Sequence, residues 1–103
     1  MKSMATIIYQ LQTALKIKGF IVAVNTTQFF SAEQDRFIKV YHVKHKREEI
    51  VSTASQIIVI RCLKQMLDCI RNLEATRVDR AEWEAAVIED IRNNNYLNTN
   101  INN

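Results

Sequence analysis

The chain reads as an α+β domain in the order α-β-β-β-α-α, a three-stranded antiparallel sheet packed on one face by helices. Three observations predict this. Residues 55–73 place Arg61, Lys64, Gln65, Asp68, Arg71 and Asn72 on one stripe of a 3.6-residue period. The rest of that segment, with Ile57, Ile58, Ile60, Leu63, Met66, Leu67, Ile70 and Leu73, is too broad for a two-helix seam, so a sheet, or a sheet plus a helix, must cover it. Between residues 20 and 53, β-branched and aromatic runs alternate with short polar connections, as adjacent antiparallel strands require. Finally, with one Gly and no Pro, turns fall to Asn, Ser, Thr and charged residues, which suits helices joined to simple hairpins.

Residues 4–18 form the first helix, with Met4, Ile7, Ile8, Leu11, Ala14 and Leu15 on one face. Lys16 and Lys18 suit its C-terminal dipole, and Gly19 stands where a left-handed cap needs no Cβ. Phe20–Val24 begins the first strand as a continuous apolar run, which predicts cover on both faces. It continues to Phe30, with a bulge or bend expected at Asn25. Arg36–Lys44 is the second strand, His45–Glu48 a turn, and Glu49–Thr53 a short third strand. Ser55 is the N-cap of the core helix. The last helix runs from Arg80 to about Arg92. Asp79 and Glu82 form a capping box, Val78 and Trp83 a hydrophobic staple, and Glu84, Glu89 and Asp90 face outward. Residues 1–92 are thus one domain, and 93–103, with seven Asn in eleven residues, a polar tail.

The balance of 48% hydrophobic and 24% charged residues is that of an ordinary globular domain. No apolar run is long enough to span a bilayer, and the amphipathic N-terminus lacks a signal peptide's continuous apolar stretch; we expect a cytoplasmic protein without membrane contact. Cys62 and Cys69 lie seven apart on one helix, with Cα atoms roughly 10 Å apart at 1.5 Å per residue, too far for a disulfide. Both read as buried reduced thiols. The net charge of +3 is uneven: residues 1–73 carry eleven Lys and Arg against five Asp and Glu, whereas residues 74–103 carry three against six. A basic body with an acidic appendage suits an anionic partner, or is a solvated surface and no more.

Enzyme signatures are sparse. One glycine leaves no phosphate loop, and Cys62 sits on an apolar face where burial explains it better than nucleophilic chemistry. Within a strand, residues three apart, as His42 and His45 are, point to opposite faces and cannot share a metal ion unless the turn begins between them. We expect no catalysis, cofactor or metal. The candidate partner-binding residues are Lys44, His45, Lys46 and Arg47 on a hairpin tip, with Arg36 and Lys39 further down the same strand. Against them stands a solvated turn partly neutralised by Glu48 and Glu49. Phe29, Phe30, Phe37 and Tyr41 offer a base-stacking platform, although core packing accounts for most of them more simply. Self-association stays open, through the Trp83 helix or a free strand edge at Glu49.

The α-β-β-β-α order resembles a double-stranded-RNA-binding domain, but the stretch matching that family's lysine-rich helix start, Ser55-Gln-Ile-Ile-Val-Ile60, has no lysine. The small, glycine-poor chain rich in Lys, Ile and Asn, with its helix-sheet-helix-helix order, also resembles small phage and mobile-element proteins of low-GC bacteria. Among these it is similar to some inhibitors of Cas9, the anti-CRISPR proteins. That resemblance implies stoichiometric binding to a protein partner, Cas9 or its guide-RNA complex, which impedes guide-RNA or DNA engagement. The alternative is a small basic nucleic-acid-binding accessory protein of a phage or plasmid.

Overall fold

A computed structural model describes residues 2–94 and Tyr96. The elements are α1 (Met4–Ile17), β1 (Ala23–Ser31), β2 (Arg36–His45), β3 (Glu48–Thr53), α2 (Gln56–Ala75), a 3-10 turn (Arg80–Glu82) and α3 (Trp83–Asn93). The sheet is antiparallel in the order β1-β2-β3, and the helices pack on one of its faces, giving the α+β fold expected. Of the Asn-rich tail, Asn95 and residues 97–103 lie outside the described residues. No described helix is long and apolar enough to cross a membrane.

Core and caps follow the sequence closely. Leu63, Met66 and Ile70 of α2 are fully buried, together with Leu15 of α1, Val43 of β2 and Val87 of α3. Ser55 caps α2 by accepting from the Ile58 N–H, and Ser3 caps α1 by accepting from the Thr6 N–H. α1 and α2 run parallel. Lys18 meets Glu74 at 2.9 Å at their C-terminal ends, whereas Met4 and Ile57 line one groove at their N-terminal ends.

Gly19, at φ +90°, closes α1 with paired bonds: its own N–H donates to Lys16 and the Phe20 N–H donates to Leu15. α2 closes in the same way, with Val78 donating to Leu73, but here Arg77 holds the left-handed position at φ 56°. Asp35, Lys46 and Arg47 also have positive φ. With one glycine in the chain, Cβ strain therefore falls at four other positions among the described residues. Arg77→Gly should raise the unfolding free energy by about 1 kcal/mol in urea titration. A loss of stability would show that the Arg77 side chain, not its backbone, matters.

Several local expectations are corrected. Phe20–Val24 is covered on one face only: Phe20 and Val22 are buried, whereas Ile21 is 63% exposed. No bulge interrupts β1 at Asn25, which pairs in register with His42. The irregularity falls on β3, where Ile50 is the extra residue between the Val43–Val51 and Lys44–Glu49 pairs. Asp79 does cap, through Ala81, but Glu82 closes no capping box and the first turn is 3-10. The Val78–Trp83 approach is polar as well as apolar, because the indole N–H donates to the Val78 carbonyl at 3.1 Å.

Strand lengths decide the exposed architecture. β3 ends at Thr53, opposite Tyr41. Arg36–Val40 and their partners Thr27–Ser31 therefore continue as a two-stranded arm, about 17 Å long at 3.4 Å per residue. Phe29, Phe30 and Phe37 lie on this arm and are 52%, 54% and 67% exposed, so core packing does not account for them. Only Tyr41, nearer the helices, packs against the core.

Candidate functional site

The six basic-strand candidates separate into two groups. At one end, Lys46 and Arg47 form the two-residue turn between β2 and β3, both with positive φ as a tight hairpin requires. His45 is not a surface residue. It is 5% exposed and stacks on Phe20 at 4.2 Å between centroids, with planes 5° apart. Its Nδ1–H donates to the Ile21 carbonyl at 2.8 Å, and Nε2 faces Glu84 Oε2 at 3.5 Å. Lys46 Nζ reaches the same Glu84 oxygen at 2.8 Å. This contact, before any other, holds the Glu84 carboxyl below the usual carboxylate range. Glu48 meanwhile binds Arg92. Glu84 therefore faces His45 and pairs with Lys46 while remaining partly exposed, and the acidic last helix neutralises Lys46; Lys44 and Arg47 have no carboxylate partner among the described residues.

Arg36 and Lys39, at the other end of β2, have no carboxylate partner among the described residues. Arg36 donates only to the Gln34 side chain, at 3.0 Å. They line a groove of about 460 Å3 between the free edge of β2 and the start of α2. Phe37 and Ile57, 67% and 53% exposed, form its apolar walls, with Met4 from α1. Sequence periodicity placed Ile57 with the core face of its helix. It lies outside the core because β3 stops before it can cover the first turn of α2. Neither α1 nor α2 carries an acidic residue in its first turn, so both dipoles add positive potential near this groove.

Alternation fixes the remaining faces. Phe30 and Phe37 are register partners on the helix side and meet edge to face at 5.4 Å. Phe29 and Ile38 pair on the opposite side. His42 also points to that side, bonded to Glu49 at 2.6 Å and Thr27 at 2.8 Å, while His45 points inward. Among the described residues, no three His, Cys, Asp or Glu side chains gather as a metal ion would need. On α2, Arg61, Lys64, Asp68 and Arg71 are exposed, as their stripe predicts. Gln65, from the same stripe, instead joins α2 to α3: its amide donates to Asp90, and its oxygen accepts from Asn94 and the buried Tyr96.

Cys62 is fully buried, and burial pushes its thiol up from 9.0 to about 12. Cys69 is half-buried, and burial with the nearby Asp90 charge raises its thiol too. Because the unfolded thiol ionises near 9 and the folded Cys62 does not, stability is unaffected below pH 9 and falls as pH rises toward 12. That decline approaches roughly 1.4 kcal/mol per pH unit from this residue. Cys62→Ala should flatten it between pH 9 and 11, and an unchanged alkaline slope would contradict the assignment.

No family model matches the chain, and no curated protein or solved structure is significantly similar to it.

Proposed function

We propose that the chain is a non-catalytic binding protein that holds an extended, acidic segment of a protein partner in the groove beside Arg36–Lys39. One observation carries this reading. An unpaired strand edge, two cations without carboxylate partners and the exposed side chains of Phe37, Met4 and Ile57 meet in one groove. A segment laid along β2 continues the line that β3 leaves at Thr53, and main-chain hydrogen bonds supply affinity. Alternate side chains of the segment then meet Phe37 and Lys39 on the helix side and Arg36 on the opposite side. The Lys44–Arg47 tip supports binding less well, since His45 is buried and Lys46 is paired.

A Cas9 effector or its guide-RNA complex, the partner implied by the anti-CRISPR resemblance, is a specific case of this mode. The nucleic-acid reading draws on the exposed Phe29, Phe30 and Phe37, which present ring faces that bases could stack on. Glu33 and Asp35 at the arm's turn repel phosphates and acidic side chains alike, so they do not separate the two readings.

Capture from a nuclease-treated lysate separates these readings. The protein retained by the wild-type chain should be lost with Arg36→Glu/Lys39→Glu and kept with Lys44→Glu/Arg47→Glu. Retention by the first variant would overturn the groove assignment. Capture abolished by nuclease, with log-linear weakening by salt, would favour nucleic acid. Unchanged guide-RNA loading and target cleavage at saturating protein would remove Cas9 as the partner.

A further inference from the structure

The sheet has two edges, and they are built differently. β3 is six residues long, bulged at Ile50, and begins with two acids, Glu48 and Glu49. Bulges and charges of this kind keep a strand edge from pairing with another chain. β1 has neither. Its nine residues, Ala-Val-Asn-Thr-Thr-Gln-Phe-Phe-Ser, carry no charge and no proline, and its register against β2 is unbroken from Ala23 to Ser31. Seven of the nine are exposed, where a charged side chain would cost little. The exposed side of α2, by contrast, presents Arg61, Lys64, Asp68 and Arg71.

We infer that β1 pairs with β1 of a second copy of this chain, antiparallel about a twofold axis near Thr27, to make a continuous six-stranded sheet. The absence of charge is what singles out a second copy. In a twofold strand pair each residue faces its mirror position, so any charge near the axis meets itself, and like charges directly opposite are destabilising. About Thr27, Phe30 of each copy lies opposite Val24 of the other, and Thr26 opposite Gln28. The apolar Phe30 gains a half-buried apolar neighbour, and the amide and hydroxyl groups face one another. The Trp83 helix is not the interface. Its Val87 and Ile91 are already buried against this chain's own core, and the Trp83 indole is bonded to Val78. Pairing at β1 leaves the Arg36–Lys39 groove free, because that groove opens on the other edge of β2. The dimer therefore presents two grooves, one at each side of the extended sheet, and stands whether or not the groove reading holds.

Sedimentation equilibrium over a concentration series tests this, with circular dichroism confirming that each variant is folded. The wild-type chain should approach twice its 12.0 kDa mass. Thr27→Lys, which sets two lysines face to face, should weaken association at least tenfold without loss of helix or sheet signal. Ser52→Lys on β3 should leave association unchanged. If Thr27→Lys is poorly folded, hydrogen exchange on the wild-type chain decides: β1 amides should gain protection as concentration rises. A wild-type chain that stays monomeric throughout, a dimer that survives Thr27→Lys, or one broken by Ser52→Lys would overturn the proposal.

Discussion

Leu63→Ala should lower the unfolding free energy by about 2–5 kcal/mol, out of a total on the order of 5–15 kcal/mol for a small domain. Leu63 is fully buried on α2, the one helix that packs against α1, α3 and both β2 and β3. Truncating it removes apolar area and leaves a cavity that the surrounding close-packed core fills only in part. The urea midpoint should fall with little change in slope, since the surface exposed on unfolding is nearly the same. A loss below about 0.5 kcal/mol would mean that α2 is not the centre of the fold.

The second large effect is expected at His45, a residue that its sequence context presents as part of a cationic tip. His45→Ala should cost about 2–4 kcal/mol, from the lost stack on Phe20 and the Ile21 carbonyl left without its donor. Lys44→Ala, one residue earlier and without an ion-pair partner among the described residues, should cost less than about 0.5 kcal/mol. Equal effects of the two substitutions would contradict the division between a structural His45 and an unpaired Lys44. The same comparison bears on function. A substitution at His45 that weakens partner binding must be corrected for loss of folded protein before it is read as a contact.

How far the chain could be read in advance depended on whether the signal was local. The α2 stripe, the Ser55 cap and the Gly19 stop are set by residues within a turn of each other, and all three stand in the structure. The positions that misled are those decided by where another element ends. Phe30, Phe37 and Ile57 have core-like side chains, yet they are exposed where β3 is six residues long and stops at Thr53, and Phe29 is exposed because it faces away from the helices. Nothing within their own segments encodes that length.

The candidate site shows the same limit. Arg36 and Lys39 were found as cations on a strand, but the groove they line needs Met4 and Ile57 from two distant helices. Lys46 and His45 read as free because their partner, Glu84, lies nearly forty residues away on a helix whose acids were expected to face solvent. Charge counting by halves saw the excess on each side and missed that the two sides meet. β1 carries a local signal, nine strand residues without a charge, that gains meaning from the strand's place at the sheet edge.

The central claim, that a partner segment binds at the free edge of β2, is tested most directly by amide NMR with a short synthetic peptide alternating Glu with Val. Saturable shifts are expected at Phe37–Lys39 and Ile57, at least tenfold weaker for Arg36→Glu/Lys39→Glu, with little change at Lys46 or Arg47. Shifts confined to Lys44–Arg47, or shifts at the arm that persist unchanged in the charge-reversed variant, would contradict it.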